Sequence, residues 1–184
     1  MPVEKGGFVM ESSSGDVGSG KKVADLSHLA GRYLTCMLGK EVYGIRIEQI
    51  REIIGLMAIT PVPGSFNYLK GIINLRDKVI PVVDLHIKFG LDTAVYDEKT
   101  CIMVIELHSG GRNVPVGVIV DSVLEVKNFD QGALNPAPSY GVDPMANFVT
   151  GVGRLSGSEV VILLDINKAL GEDGLGELEQ VEGV

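Results

Sequence analysis

The sequence lacks the residue patterns on which most enzymatic and metal sites depend. It has no tryptophan, two cysteines and three histidines among its 184 residues. Cys36 and Cys101 stand singly in apolar runs without a CxxC pair, so we expect two buried thiols and no disulfide framework. His28, His86 and His108 do not have the spacing of metal ligands. GxSxG, P-loop and GxGxxG motifs are also missing, so no catalytic, metal or cofactor site is predicted.

Positive charge is scarce as well. The chain carries 16 Lys and Arg against 24 Asp and Glu, a formal net charge of −8. Binding to nucleic acid or to an anionic membrane needs clustered Lys and Arg, so neither partner is expected. No apolar run reaches the roughly 18 residues that a membrane span requires. The first thirty residues also lack the apolar core of a secretory signal, so we expect a soluble, cytoplasmic protein without direct membrane contact.

The residues that are abundant favour a β-rich fold. Hydrophobic residues make up 45% of the chain and are mostly Val, Ile and Leu, and 24 glycines and eight prolines supply turns. Each half of the chain is predicted to begin with a hairpin, with Gly-containing loops at 39–41 and 109–111, and to close with a second hairpin. The segment RIEQIREII, residues 46–54, predicts a short helical turn because its isoleucines recur at helical spacing. Pro81 predicts an edge strand or a bulge, since proline donates no ladder hydrogen bond.

Three sequence blocks occur twice in the same order, 73 to 81 residues apart. The pairs are YGIRIEQIREI (43–53) with VGVIVDSVLEV (116–126), TPVP (60–63) with NPAP (135–138), and GIINLRDKVIPVVDL (71–85) with GVGRLSGSEVVILLDI (151–166). This repetition predicts an internal duplication. Five or so short strands per copy predict an all-β fold of two small tandem barrels with short helices.

The predicted organisation has four parts. They are a flexible tail (1–29), a first barrel that exchanges strands with the second (30–95), the second barrel (96–171) and an acidic tail or frayed helix (172–184). Strands such as KVIPVVDL are apolar on both faces, whereas a small barrel fills its interior with one face only. The other face must therefore be covered by the sister barrel or by another protein.

Asp84 and Asp165 occupy equivalent places in the two copies. Two carboxylates from duplicated halves form the dyad of aspartic proteases, which leaves an enzyme as one alternative. The simpler interpretation is that each aspartate caps a short helix, DLHIKFG or DINKALG, and that Gly90 and Gly171 end those helices. A small-ligand-binding double barrel is a further alternative, which would need an enclosed cavity of about 300 Å³ or more.

The charged turn Arg76-Asp77-Lys78 is the clearest candidate for binding. Its counterpart in the second copy, Ser156-Gly157-Ser158, is small and neutral. The simplest explanation of a charged turn is a solvated hairpin tip. A guanidinium on a rigid turn can, however, bind a partner carboxylate in fixed geometry. We therefore hypothesise that the charged tip is a docking surface.

Five segments together resemble the CheW family of bacterial chemotaxis coupling proteins. They are YGIRIEQIREI, TPVP, YLKGIINLRDKVIPVVDLHIKFG, VGVIVDSVLEV and EVVILLDINKAL, within residues 32 to 170. The resemblance implies two intertwined five-stranded barrels of SH3-like type with an apolar interface and no enzymatic activity. It implies a cytoplasmic adaptor, recruited to receptor arrays at the inner face of the membrane. Its partners would be the regulatory domain of the histidine kinase CheA, the cytoplasmic tip helix of a chemoreceptor, and other CheW-like domains in array rings.

The resemblance also implies where these partners bind. The Asn-Leu-Arg turn of the family falls on Asn74, Leu75 and Arg76, with Arg76 as the main docking residue. An apolar residue two places before a glutamate falls on Ile50 and Glu52. The receptor helix is expected in an apolar groove lined by Ile47, Val120 and Val123. The family's usual glycine after the arginine is replaced by Asp77, which we expect to keep the turn and to pair with Arg76. A receptor-coupled adaptor that is normally fused to a receiver domain is the alternative within the same class.

Overall fold

The protein is built mainly from β-strands. The computed structural model describes residues 24–92, 94–138 and 147–171. The strands are β1 (Gly31–Leu38), β2 (Glu41–Arg46), β3 (Ile50–Gly55), β4 (Leu69–Leu75), β5 (Lys78–Asp84), β6 (Cys101–Ser109), β7 (Arg112–Val120), β8 (Ser122–Phe129), β9 (Leu134–Pro136), β10 (Val149–Arg154) and β11 (Val160–Leu164). The α-helices are α1 (Leu85–Lys88) and α2 (Ile166–Gly171), and single 3-10 turns lie at Ser27–Leu29, Ile47–Gln49 and Gln131–Ala133. Within these described ranges, no helix is long and apolar enough to cross a membrane.

The strands form two sheets that exchange hairpins. One sheet has the order β3-β6-β7-β5-β4, and the other has the order β8-β1-β2-β11-β10-β9. The hairpin β1–β2 thus lies in the sheet whose other strands, β8 to β11, all follow residue 121 in the chain. The hairpin β6–β7 lies in the sheet whose other strands, β3 to β5, all precede residue 85. Each exchanged hairpin makes one parallel pair, β2 with β11 and β7 with β5. Both predicted units, 30–95 and 96–171, therefore contribute strands to each sheet.

The second sheet has one strand more than predicted. The additional strand is β9, three residues long, which pairs only with β10 at the edge. Without it, the two sheets have the same order of equivalent strands, because β1, β2 and β3 correspond to β6, β7 and β8. This equivalence agrees with the internal duplication predicted from the repeated sequence blocks.

Apolar side chains pack in three clusters, one inside each sheet and one between the sheets. The five-stranded sheet encloses Ile73, Ile80, Val82, Ile102, Val104 and Ile119. The six-stranded sheet encloses Leu29, Tyr33, Phe129, Leu134, Val161 and Leu163. The largest cluster combines residues of both sheets, among them Cys36, Ile45, Val83, Met103, Val118 and Leu164. Val82 and Val83 thus belong to different clusters, as the strand that is apolar on both faces predicted.

Two local predictions need correction. The segment 46–54 is helical only at Ile47–Gln49, and β3 follows as a strand with alternating burial. Isoleucines three or four residues apart also fit a turn that runs into a strand. Pro81 lies in an internal strand, between β7 and β4, so the predicted edge strand is wrong. The alternative, a bulge, agrees with the shift in the β4–β5 register between Leu69 and Gly71, opposite Val82 and Val83. Pro81 is tolerated there because the β5–β7 pairing begins only at Val82, so the missing N–H interrupts no bond to β7.

The helix caps were predicted correctly. The Asp84 carboxylate accepts a hydrogen bond from the His86 backbone N–H at 2.9 Å, and the Asp165 carboxylate accepts one from Lys168 N–H at 3.1 Å. Gly90 follows α1 with a φ of 65°, as predicted. Gly171 is the last described residue of α2, so its predicted role at the end of that helix falls at the limit of the described residues and stays a prediction. Both aspartates therefore serve as helix caps.

The predicted tails fall largely outside the described residues. Residues 1–23 and 172–184 are not among them. The end of the predicted N-terminal tail is packed, because Leu29 is buried and its carbonyl accepts a 2.7 Å hydrogen bond from the Tyr33 hydroxyl. Leu29, which the prediction placed in the tail, is therefore part of the packed structure.

Candidate docking site

The turn between β4 and β5 is a two-residue loop with unusual backbone geometry. Arg76 has a φ of 51° and Asp77 a φ of 64°. Positive φ at both central residues is the requirement of a type I′ hairpin turn, which matches the twist of the flanking strands. Aspartate tolerates this conformation better than most residues, so the turn persists without the family's glycine. The turn therefore presents Arg76 on a short, rigid loop.

The Arg76 guanidinium forms an ion pair with Glu52 on β3, the edge strand opposite β4 in the same sheet. Its Nη2 donates to Glu52 Oε2 at 2.9 Å, while 77% of the Arg76 side chain stays exposed. The expected pair with Asp77 is not among the ion pairs of the described residues. Because β3 and β4 are the two edge strands of this sheet, the pair joins the two edges beside the pocket that both residues line. Exposed pairs of this kind contribute about 0–1 kcal/mol to stability. The pair uses one nitrogen of a guanidinium that has five N–H donors, so most of these donors remain free for a partner.

A pocket of about 370 Å³ opens beside this pair. Its floor consists of Ile80 and Val104, which belong to the cluster inside the five-stranded sheet. The remaining lining residues are Arg51, Glu52, Leu75, Arg76, Lys78 and Pro115. The pocket therefore opens at the five-stranded sheet, with apolar side chains at its base and charged side chains around its rim.

The predicted site residues divide into two groups. Glu52, Leu75 and Arg76 meet at the pocket, and exposed Asn74 precedes Leu75 on β4. Ile47, Ile50 and Val123 are partly buried and pack against the cluster between the sheets. The 3-10 turn that carries Ile47 contacts β1 of one sheet and β6 of the other. These three residues therefore lie where the two sheets meet.

Val120 does not belong to an open groove, contrary to the prediction. Its side chain is 0% exposed and forms part of the cluster between the sheets. Val120 ends β7 and pairs with Cys101 of β6 inside the sheet, where both faces are covered. Val123 lies on β8, an edge strand of the other sheet, and keeps partial exposure. The sequence repeat could not separate the two valines, because both lie in the same repeated block, residues 116–126.

Apolar side chains remain exposed near the edges of both sheets. Ile53 on the edge strand β3 is 45% exposed, and Leu56 and Met57 follow it in the chain with similar exposure. Leu124 and Val126 on the edge strand β8 are exposed as well. Exposed apolar side chains along unpaired strand edges are typical of surfaces that bind partners. The protein thus does not cover all its apolar surface by itself.

A buried polar network, which the sequence did not predict, links the two sheets behind α1. The two ring nitrogens of His86 face Asp84 Oδ1 at 3.3 Å and Asp121 Oδ2 at 3.1 Å. The Tyr96 hydroxyl donates to Asp84 Oδ2 at 2.6 Å, and the Gly39 N–H donates to Asp121 Oδ2 at 2.7 Å. Burial and the Asp84 carboxylate raise the pKa of Tyr96. The network thus connects α1 to the β1–β2 turn and to the junction of β7 and β8.

The cysteines behave as the sequence predicted. Cys36 and Cys101 are buried and unpaired. Burial raises the pKa of the Cys36 thiol to about 12, so the thiolate needed for nucleophilic or redox chemistry is scarce at neutral pH. Within the described ranges, no group of three or more His, Cys, Asp and Glu side chains could hold a metal ion.

Sequence reasoning missed part of the pocket. Arg51 was assigned to a helical turn and not to β3, the strand along which exposed Arg51 alternates with half-buried Glu52. Pro115 and Val104 come from the other sequence repeat, so only the hairpin exchange brings them to Arg76. The segment IREII does not alternate charged and apolar residues, so the sequence carried no signal for Arg51 at this site.

Comparison with known proteins gives consistent matches. The family model for the CheW-like domain matches residues 32–173. The chain is 34% identical to the chemotaxis protein CheW of Klebsiella aerogenes over 86% of this chain and 96% of that protein. It is 31% identical to CheW of Thermotoga maritima over 76% of this chain and 87% of that protein. The crystal structure of the scaffolding protein TtCheW from Thermoanaerobacter tengcongensis superposes with a TM-score of 0.68 at 29% identity, covering 79% of this chain and 95% of that one.

Proposed function

The chain belongs to the CheW-like domain family, and from this premise we propose which partners its exposed surfaces bind. As a member of that family it is a non-enzymatic chemotaxis coupling adaptor. The proposed partners are the regulatory domain of the histidine kinase CheA and the cytoplasmic tip of a chemoreceptor. By binding both, the adaptor lets the receptor control kinase activity. It acts in the cytoplasm, at receptor arrays on the inner face of the membrane, where it also contacts other CheW-like domains.

The kinase regulatory domain binds at the Arg76 turn. The observation that carries this proposal is the exposed guanidinium, held on a two-residue turn at the rim of an apolar pocket. A preordered guanidinium loses little entropy on binding and recognises a carboxylate through two parallel hydrogen bonds. Glu52 orients the Arg76 side chain, and Leu75 contributes apolar area beside it. Exposed Asn74 precedes Leu75 on β4 and extends the surface.

The receptor helix binds at the junction of the two sheets. Ile47, Ile50 and Val123 are partly buried there, and exposed Leu124 and Val126 continue the surface along β8. A helix with an apolar stripe can pack on such residues, because helix-in-groove recognition uses anchors about one turn apart. Val120 is excluded from this surface because it is buried.

A binding experiment on Arg76 tests the kinase proposal. Arg76→Asp is expected to weaken binding of the kinase regulatory domain by about 30-fold, the equivalent of about 2 kcal/mol for a truncated anchor residue. The free energy of unfolding should change by less than about 1 kcal/mol, because the pair with Glu52 is exposed. Isothermal titration calorimetry measures the first quantity and chemical denaturation the second.

Arg32→Asp is the matched control. Arg32 is also an exposed arginine, but it lies on β1 of the other sheet. This variant has the same charge change and should bind the regulatory domain with unchanged affinity. Equal weakening by both variants would show a general charge effect and contradict docking at Arg76. A large loss of stability in Arg76→Asp would show that the residue is structural.

A further inference from the structure

Asp121 is the residue at which the chain passes from one sheet to the other. Strand β7 of the five-stranded sheet ends at Val120, and β8 of the six-stranded sheet begins at Ser122. The direction in which β8 leaves the five-stranded sheet therefore depends on how Asp121 is held.

Asp121 is held by elements of both sheets. Its backbone N–H donates to the Met37 carbonyl at 3.0 Å, and its Oδ2 accepts a 2.7 Å hydrogen bond from the Gly39 N–H. These two contacts tie it to β1 and to the β1–β2 turn of the six-stranded sheet. The same Oδ2 lies 3.1 Å from Nε2 of His86, on the helix α1 that follows β5 of the five-stranded sheet. His86 is therefore the side chain through which α1 holds Asp121.

The His86 ring is itself fixed in place. It is 1% exposed, and its Nδ1 lies 3.3 Å from Asp84 Oδ1 at the end of β5. The other oxygen of Asp84 accepts a 2.6 Å hydrogen bond from the Tyr96 hydroxyl. A planar ring that is locked by its surroundings and meets a carboxylate at each nitrogen sets the distance between the two carboxylates, which a flexible side chain does not.

The strand that begins after Asp121 carries part of the proposed receptor surface. Val123 lies two residues further on β8 and packs, as Ile47 and Ile50 do, against the cluster between the sheets. A surface that combines residues of both sheets binds its partner only when the sheets have the matching arrangement. The apparent affinity is then reduced in proportion to the fraction of molecules that have this arrangement.

We propose that His86 is a positioning residue for receptor binding, which fixes the start of β8 by holding Asp121 through Nε2. This proposal rests on the proposed function and adds a buried residue that does not itself touch the receptor. The site proposed for the kinase is remote from this contact, because Lys78, next to the Arg76 turn, and Asp84 lie at opposite ends of the seven-residue strand β5, about 20 Å apart. Loss of the contact should therefore weaken receptor binding and leave kinase binding unchanged.

Two amide variants separate the Asp121 contact from the rest of the network. Counted in bonds from Cβ, the amide nitrogen of glutamine takes the place of Nε2 of histidine, and that of asparagine takes the place of Nδ1. His86→Gln therefore keeps a donor toward Asp121, whereas His86→Asn keeps only a donor toward Asp84. The two variants are equal in charge and chemical type, so each is the matched control of the other.

The full-length variants are titrated by calorimetry with the cytoplasmic tip of a chemoreceptor and, separately, with the kinase regulatory domain. We expect His86→Asn to weaken receptor binding about tenfold, which corresponds to about one molecule in ten with the competent arrangement. His86→Gln should bind the receptor within about threefold of the wild type. Both variants should bind the kinase regulatory domain within about twofold of the wild type, which also shows that they are folded.

Tyr96→Phe controls for damage to the network as a whole. It removes the hydrogen bond to Asp84 and leaves the contact between His86 and Asp121, so receptor affinity should change by less than about twofold. Proton–nitrogen correlation NMR spectra give a second measurement. The backbone amide of Val123 should shift more in His86→Asn than in His86→Gln, and the amide of Arg76 should keep its wild-type position in both.

Three results would overturn the proposal. The first is receptor binding by His86→Asn within about twofold of the wild type. The second is equal weakening of receptor binding by His86→Asn and by either His86→Gln or Tyr96→Phe, because the effect would then not pass through Asp121. The third is loss of both partners together in His86→Asn, which would show that His86 serves only the stability of the fold. Absence of wild-type binding to the receptor tip would instead overturn the proposed receptor contact itself, a result distinct from wild-type binding that the variants leave unchanged.

Discussion

Removing the His86 side chain should cost far more stability than its small size suggests. The ring is 1% exposed, and its nitrogens lie 3.3 Å from the Asp84 carboxylate and 3.1 Å from the Asp121 carboxylate. In His86→Ala, both carboxylates lose this partner and face each other across the space that the ring leaves. Breaking a buried charged contact costs about 3–5 kcal/mol. The Asp121 side chain is 29% exposed, which favours the lower end, so we expect a loss of about 3 kcal/mol.

Chemical denaturation measures this loss, and a thermal melt gives a second reading. For a domain of this size, about 3 kcal/mol corresponds to a fall of about 6–12 °C in Tm. His108→Ala is the control, because His108 is exposed on β6 and its ring hydrogen-bonds to the Asn113 side chain at the surface. Its bond to Asn167 is donated by the backbone N–H, which alanine keeps. His108→Ala should change stability by less than about 0.5 kcal/mol.

A double-mutant cycle identifies the cause. Asp121→Asn removes one of the two negative charges that His86→Ala leaves without the imidazole between them, so the double variant should lose less than the sum of the single variants. A loss below about 1 kcal/mol in His86→Ala would refute the reasoning. Strict additivity with Asp121→Asn would also refute it, because the two side chains would then not interact.

Two further predictions concern the turn and alkaline pH. Asp77→Gly should raise the free energy of unfolding by about 0.5–1 kcal/mol, because Asp77 has a φ of 64° that glycine adopts without strain; a less stable variant would contradict this in chemical denaturation. Tyr96 has a pKa raised above its usual value of 10.0 by burial and by the Asp84 carboxylate, so the folded protein keeps the phenol proton longer than the unfolded chain. Its contribution to stability is therefore complete below about pH 10 and declines above it, and the stability advantage of the wild type over Tyr96→Phe should shrink in that range. An advantage that stays constant from pH 8 to 11 would contradict the assignment.

Much of the fold was predictable because it depends on local chemistry. Alternating apolar residues, Gly-containing turns and the Asp84 and Asp165 caps act over a few residues, so the hairpins and the short helices could be predicted. The segment around Ile50 was assigned wrongly, because a 3-10 turn followed by a strand places isoleucines at the same spacing as a helix. The repeated blocks predicted the duplication but not which hairpin joins which sheet.

By itself, the sequence determined the strands, the turns, the duplication and the position of Arg76 on a charged hairpin tip. Only the tertiary structure decided that Glu52 and not Asp77 pairs with Arg76, that Val120 is buried, and that Arg51 and Lys78 share one pocket. The physical reason is that these contacts join residues far apart in the chain. Their positions follow from the exchange of hairpins between the sheets and from the burial of one face of each sheet against the other, and neither is a property of any short segment.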